Sequence, residues 1–252
     1  MISKTTHSFT KSRPNTVSLD LVQQVENAIL NGNLTPGEKL PPQRELMQTF
    51  GASSSSIREA FRVLEEKGLI EIKRGATGGT TVKSPSSDKL SENLGRLIKY
   101  KQIPMKHLAE YREDIEGTIA ALASERATPK DILEMKELLS EIYECVTADP
   151  PKNVEFDIAD NKLHVIIAKS TKNAIYQLTS EMIHNNINIY YQELLEDKTI
   201  YMKYYEDLRE LIKAIEKHEA NEAKSIARIH AQRFFRYVKK QMDQNKSVIS
   251  GF

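Results

Sequence analysis

The chain has 252 residues, is 39% hydrophobic and carries 36 Lys and Arg against 35 Asp and Glu. This length allows one or two domains with proper cores, and no apolar run approaches the roughly 18 residues of a membrane span. The single cysteine, Cys145, excludes an intrachain disulfide and is typical of a reducing compartment. Because the N-terminus also lacks the pattern of a secretory signal, we expect a cytoplasmic protein with no membrane partner.

Charge is distributed unevenly along the chain. Residues 1–83 carry 11 Lys and Arg against 8 Asp and Glu, whereas the remaining residues carry 25 against 27. The positive excess is small but lies in the N-terminal part. If that part binds nucleic acid, we expect its affinity to come from two copies acting together, because each neutralised phosphate adds salt-dependent binding.

Three helices are predicted near the N-terminus. Residues 1–15 are polar and basic without periodicity, which predicts a flexible tail. An apolar stripe predicts a first helix over 16–30, and prolines suited to a first helical turn begin a second over 41–50. The third, over 53–67, is strongly amphipathic. Its apolar stripe consists of Ile57, Ala60, Phe61 and Leu64.

The opposite side of the third helix is polar and cationic. It carries Arg58 and Arg62 one turn apart, and any of the serines from Ser53 to Ser56 can serve as the N-cap. Two short alternating runs follow, at 69–72 and 80–82, and predict a hairpin with a basic, glycine-rich tip. These elements together predict a winged helix-turn-helix over residues 16–83, whose third helix enters a major groove. A small interaction module is the alternative reading of the same pattern.

Residues 84–88 contain a proline and three serines and predict a linker. Everything after it is predicted to be helical, with prolines and polar turns between the periodic stretches. The predicted helices cover residues 89–101, 105–127, 129–148, 151–169, 173–195, 198–217 and 221–245. The expected fold class is therefore mainly α, with a winged helix-turn-helix followed by an antiparallel helical bundle over 89–245.

Two pairs of polar residues interrupt the apolar faces of the bundle helices. Asp160 and His164 lie four residues apart and can share one metal ion, although a hydrogen-bonded pair is the simpler interpretation. Arg112 and Glu116 have the same spacing. They predict either an ion pair or an anion receptor, in which the Arg112 fork binds the carboxylate of an effector.

Several stretches of the N-terminal part closely resemble the DNA-binding domain of GntR-family transcription regulators. They lie at residues 34–46 (LTPGEKLPPQREL), 51–53 (GAS), 57–60 (IREA), 64–70 (LEEKGLI) and 78–82 (GGTTV). The resemblance implies that the DNA-contacting positions are Arg44, Ser53, Ser54, Ser55, Ser56 and Arg58, with Arg74 and Gly75 at the wing tip. Ser54 stands where the family often has arginine, so the operator sequence does not carry over from relatives.

The bundle is similar to the effector domain, called FCD, of the FadR-type branch of that family. The similarity rests on Tyr111–Glu116, Ala120–Ala123, Asp160–His164, Ser170–Asn173 and the stretch from Ala214 to His230. It implies a divalent metal, Zn, Ni or Mn, held by Asp160, His164 and His230. It also implies that Arg112 binds the effector.

The usual fourth ligand of that branch is missing, because Leu208 occupies its position. The three remaining residues can form an open metal site. Alternatively, the pocket is free of metal and takes a larger, acyl-type effector. His184 could supply a substitute ligand, although it does not stand at the family's ligand position.

We therefore expect a homodimeric transcription regulator, a repressor by family habit, that reads a palindromic operator on double-stranded DNA. A small metabolite, most simply a carboxylate, would bind in the bundle and control operator affinity. The competing hypothesis from another class is a metal-dependent hydrolase using a hydroxide at Asp160, His164 and His230. No residue pattern of a nucleophile with its base supports it, so no catalytic residue is predicted.

Overall fold

The computed structural model describes residues 16–73, 75, 78–83, 87–150, 152–187 and 198–249. The chain divides into two compact units, residues 1–89 and 90–252. Within the described ranges it contains ten helices and one two-stranded sheet, which confirms the mainly α fold class. The predicted tail, most of the predicted linker and Arg74 lie outside the described residues, and the predicted domain limits stay predictions.

The first unit contains three helices followed by a hairpin. These elements are α1 (Thr16–Leu30), α2 (Gln43–Thr49), α3 (Ser54–Glu66), β1 (Ile70–Lys73) and β2 (Gly79–Val82). The strands are antiparallel, with Ile70 opposite Val82 and Lys73 opposite Gly79. The segment before α2 runs beside β2, because the amides of Gly37 and Leu40 each donate to a β2 carbonyl over 2.9 Å.

One apolar core holds this unit together. The stripe predicted for the third helix is fully buried and faces α1, so the 3.6-residue periodicity identified the correct side of α3. Both strands add one buried side chain to the same core. The buried members are Leu21, Val22, Val25, Leu40, Leu46, Ile57, Ala60, Phe61, Leu64, Ile70 and Val82.

The second unit is a helical bundle. Its helices are α4 (Asp88–Lys101, whose first two residues fall in the first unit), α5 (Met105–Arg126), α6 (Pro129–Thr147), α7 (Asn153–Ser170), α8 (Ala174–Ile187), α9 (Lys198–Glu216) and α10 (Ala220–Ile249). α10 packs along α5, α7 packs between α6 and α8, and α9 contacts α6 and α10. None of the helices in the described ranges is long and apolar enough to cross a membrane.

The described helix ends lie close to the predicted ones. α6 begins at a capping box, in which Thr128 accepts from the amide of Asp131 and Asp131 accepts from the amide of Thr128. The last part of the helix predicted over 173–195, after Ile187, lies outside the described residues. The large apolar core of the bundle includes Leu208, which is fully buried.

Candidate functional site

The N-terminus of α3 is capped by the side chain of Ser53. Its Oγ accepts from the amide of Ser56 over 3.2 Å and lies 2.7 Å from the Oγ of Ser55. Ser53 itself has extended backbone angles, as an N-cap residue should. Of the four serines that could have capped the helix, the first does so, and Ser54 becomes the first helical residue.

The two arginines of α3 differ in their partners. Arg62 donates to Glu59 over 2.7 Å and to Glu66 over 3.3 Å, so its charge is compensated within the helix. Arg58 is exposed and forms no ion pair with any described residue, and the same holds for Arg44 in α2. Both α3 arginines were expected to form the cationic face, but only Arg58 keeps a positive charge that no described residue compensates.

The hairpin tip contains Gly75, which is exposed and has φ +117°. That conformation strongly favours glycine, because a Cβ would strain it. Lys73 at the end of β1 lies 3.3 Å from Glu71. The neighbouring candidate, Arg74, lies outside the described residues, so the structure gives no account of its side chain.

A cluster of buried polar side chains from four helices lies in the interior of the second unit. α5 supplies Arg112 and Glu116, and α7 supplies Asp160 and His164, each pair being brought onto one face by its spacing of four. We call five of its members the histidine cluster. They are Glu116 (α5), Asp160 and His164 (α7), His184 (α8) and His230 (α10).

Arg112 and Glu116 form a buried ion pair. The Arg112 Nε donates to Glu116 Oε1 over 2.5 Å, and the side chains are only 4% and 7% exposed. The guanidinium also lies 5.0 Å from the centre of the Phe234 ring. Burial by itself would raise the pKa of Glu116, but the Arg112 guanidinium beside it holds that pKa well below its usual range. The carboxylate is therefore ionised.

His164 stands at the centre of the cluster. Its Nε2 lies 3.8 Å from Asp160 Oδ1, while its Nδ1 lies 3.9 Å from Glu116 Oε2. The ring is stacked on His184 at 4.3 Å between centroids and lies 5.4 Å from the ring of His230. Burial and the neighbouring histidines hold the pKa of His164 well below its usual range. The neutral imidazole that results is the form that binds metal ions.

The three predicted metal ligands come together. One donor atom from each of Asp160, His164 and His230 lies within 4.8 Å of the others. Asp160 Oδ1, His164 Nε2 and His230 Nδ1 are all buried and have no hydrogen-bond partner among the described residues. Buried polar atoms are nearly always paired, so a carboxylate and two imidazoles left without partners form a set that fits a divalent cation.

The position of the missing fourth ligand contributes only apolar packing. Leu208 is fully buried and belongs to the apolar core. The preceding residue, Asp207, lies 3.6 Å from His230 Nδ1 and accepts two hydrogen bonds from Arg233, over 2.7 and 3.2 Å. Although burial opposes it, these neighbours lower the pKa of Asp207. Asp207 thus places an ionised carboxylate beside Nδ1, the same His230 nitrogen that is unpartnered in the cluster.

A small cavity of about 20 Å³ adjoins the cluster. Arg112, Asp160, His184 and His230 line it, together with the phenol of Tyr204, whose buried hydroxyl has no partner among the described residues. Sequence reasoning did not include Tyr204 in the site and treated Glu116 only as a partner of Arg112. It named His184 only as a possible substitute ligand. The one pattern that could have placed His184 in the site is that Ser180, His184 and Ile187 lie on one face of α8, and this face is buried.

Comparison with known proteins agrees with this architecture. Residues 18–82 match the model of the bacterial regulatory proteins of the gntR family, and residues 107–233 match that of the FCD domain. The Uxu operon regulator of Haemophilus influenzae is 30% identical over 207 residues, which cover 80% of this chain and 74% of that protein. The chain belongs to the gntR family. It is therefore a DNA-binding transcriptional regulator with an FCD domain, and the hydrolase hypothesis is not favoured.

Two further similarities support the family assignment. The transcriptional repressor NanR of Klebsiella aerogenes is 31% identical over 160 residues, covering 62% of this chain and 59% of that protein. Among solved structures, a GntR protein of Streptococcus agalactiae superposes with a TM-score of 0.69 at 25% identity, covering 87% of this chain and 99% of that one. The family and fold predicted from the sequence are thereby confirmed.

Proposed function

We propose that this regulator is a cytoplasmic homodimer that represses transcription from a palindromic operator and is controlled by a small carboxylate metabolite bound in its FCD domain. The observation that carries the proposal is the group of buried donor atoms at Asp160, His164 and His230 that have no partner among the described residues. A folded core rarely leaves such atoms unpaired unless something binds them. Repression follows the habit of the family and the name of the NanR relative.

On the DNA side, α3 enters the major groove with its N-terminal residues toward the base edges. Arg58 has no competing partner among the described residues and is the strongest candidate for a base contact. The serine hydroxyls and Arg44 position the helix on phosphates, and the wing tip reaches the backbone or minor groove. The proposed DNA-contacting residues are Arg44, Ser53, Ser54, Ser55, Ser56, Arg58, Arg74 and Gly75.

On the effector side, Asp160, His164 and His230 would hold a divalent cation, Zn, Ni or Mn. When bound, the cation would supply positive charge that attracts a carboxylate. Arg112 adds positive charge and the Tyr204 hydroxyl adds a hydrogen-bonding group at the wall of the same cavity. The cavity, about 20 Å³, has no room for a long acyl chain and must widen to admit even a small acid.

The two functions are coupled if the effector binds more tightly to one arrangement of the dimer than to the other. In the arrangement that the effector favours, the two heads of the dimer would no longer match the spacing of the operator half-sites. Effector binding then lowers operator affinity and releases the DNA.

The test begins with selection of an operator from a random DNA library by the full-length, zinc-loaded protein. Operator affinity is then measured by fluorescence anisotropy against a panel of small hydroxy and keto acids. We expect at least one acid that stabilises the protein thermally to weaken the operator complex tenfold or more, which corresponds to about 1.4 kcal/mol. The proposal fails if acids whose binding is lost in His164→Ala leave operator affinity unchanged.

A further inference from the structure

The histidine cluster contains a second group of donors that the family's ligand pattern does not include. One donor atom from each of Glu116, His164 and His184 lies within 4.8 Å of the others, as in the first group. All three side chains are buried. Glu116 Oε2 and His184 Nδ1 have no hydrogen-bond partner among the described residues. The other His184 nitrogen, Nε2, lies 3.4 Å from Glu116 Oε1. This group therefore leaves one carboxylate oxygen and one imidazole nitrogen unpartnered among the described residues.

The two groups meet at His164 and use opposite edges of its ring. Nε2 lies 3.8 Å from Asp160 Oδ1, on the side of the first group, and Nδ1 lies 3.9 Å from Glu116 Oε2, on the side of the second. A neutral imidazole carries one lone pair and one N–H. His164 can therefore bind an ion on one side at a time, while its N–H points to the carboxylate on the other side.

From this geometry we infer that Glu116, His164 and His184 form an alternative position for the cation, in exchange with the position at Asp160, His164 and His230. The inference rests on the proposed function and concerns the same cation. In the first position, Glu116 is the outer carboxylate that receives the His164 N–H. When the cation occupies the second position, Asp160 receives the His164 N–H instead. The carboxylate that binds the cation in one position therefore accepts this hydrogen bond in the other.

The two cation positions differ in the charges that surround them. Arg112 donates to Glu116, so its guanidinium lies directly beside the second group. A cation held there is repelled by the guanidinium, and we expect weaker binding than at the first position. Glu116 can still contribute Oε2, because Arg112 bonds to the other oxygen. An anionic effector on Arg112 would reduce the repulsion, so the position of the ion would report effector binding.

The alternative cation position matters because Leu208 stands where the family usually has a fourth ligand. A fourth protein ligand would fix the ion at the first position, whereas Leu208 contributes only apolar packing. With three protein ligands on each side, neither position is saturated. His184, stacked on His164 at 4.3 Å, then provides the additional imidazole that the family pattern does not provide at this place.

The experiment uses Co²⁺ as the probe, with visible absorption reporting its coordination and native mass spectrometry counting ions on the full-length chain. The key variant is Asp160→Asn with His230→Gln, which removes two ligands of the first position. A second variant adds His184→Gln to these changes. The exposed His107→Gln serves as the matched control, circular dichroism checks folding, and His230→Gln alone is measured in case the double variant does not fold.

We expect the wild type and the control to bind one Co²⁺ ion per chain. The double variant should still bind one, at least tenfold more weakly and with a changed absorption spectrum, and the addition of His184→Gln should abolish this binding. If the double variant and folded His230→Gln bind none while the wild type binds one, the second position is wrong and the first stands. A wild type that binds no ion overturns both positions, and two ions per wild-type chain overturn the exchange.

Discussion

The functional polar groups of the two units differ in their burial and in whether they have hydrogen-bond partners. At the N-terminus of α3, the hydroxyl of Ser53 is satisfied by the helix it caps, and Arg58 is exposed to solvent. In the bundle, several buried polar atoms of the histidine cluster have no partner within the part of the chain that the structure describes. The first arrangement is complete without DNA, whereas the second leaves donor atoms that a bound cation would satisfy. Substitutions in the two units should therefore affect different properties, operator binding for the first unit and ion binding for the bundle.

The largest effect is expected for Leu208→His in the bundle. A polar imidazole in place of a fully buried leucine should lower the free energy of unfolding of the metal-free protein by about 2–5 kcal/mol. If the new side chain completes the first cation position, zinc at about 100 times its Kd should restore roughly 2.7 kcal/mol. Thermal melts with and without zinc measure both.

The matched control for this variant is Leu211→His, on the same helix and equally deep in the core. It adds no ligand but keeps the wild-type donors, so at the same zinc concentration it should gain only as much stability as the wild type gains, and less than Leu208→His. Equal recovery in both variants would contradict the assignment of the site.

Arg58→Ala tests the first unit. If Arg58 reads a base, the variant should lose about 1–3 kcal/mol of operator binding and should discriminate less at one operator position. Arg62→Ala, one turn away, should lose much less, because Glu59 and Glu66 already compensate that charge. Anisotropy titrations over a range of salt concentrations make the comparison. A uniform loss on all sequences with a reduced salt slope would reassign Arg58 to a phosphate, and ion content should not change in either variant.

Asp131 should make the stability of the bundle depend on acid pH. Burial opposes ionisation, but hydrogen bonds from Lys172 and Thr128 lower its pKa to about 2. Because the folded pKa is below the unfolded value of about 3.9, ionised Asp131 stabilises the fold above that pH, by about 2 kcal/mol. This contribution is lost as the pH falls from about 4 towards 2.

The corresponding variant is Asp131→Asn. It should unfold more easily than the wild type at pH 7, and the difference should shrink as the pH falls towards 2. Urea unfolding at a series of pH values measures it. A difference that stays constant with pH would mean that the carboxylate charge is not what stabilises the cap.

The smallest effect is expected for Ser53→Ala, which removes the N-cap of α3 and should cost about 1 kcal/mol of stability in the first unit. Ser54→Ala, at the first helical position, should change stability by no more than about 0.5 kcal/mol. Both variants should weaken operator binding if both serines face DNA. A destabilising Ser54→Ala with a neutral Ser53→Ala would contradict the assigned cap.

Features of the fold and of the site that depend on neighbouring residues could be predicted from the sequence, whereas features that depend on helix packing could not. The helices, the hairpin and the buried stripe of α3 follow from local periodicity, proline positions and turn residues, all of which lie within a few neighbouring residues. Asp160 and His164 share one helix and were found in the same way. Tyr204 was not recognised as a member of the site, and His184 was named only as a possible substitute ligand. Their contacts with His230 and His164 depend on how α9 and α8 pack. Local spacing carries no information about that packing.

The most direct measurement is the metal content of the wild type and of His164→Ala, both purified without added metal or chelator and compared by native mass spectrometry. His164 belongs to both donor groups, so one substitution removes either position. We predict close to one divalent ion per wild-type chain and none in the variant. A wild type that stays free of metal after addition of zinc, nickel and manganese would contradict a cation in this domain and leave its unpartnered donors to the effector alone.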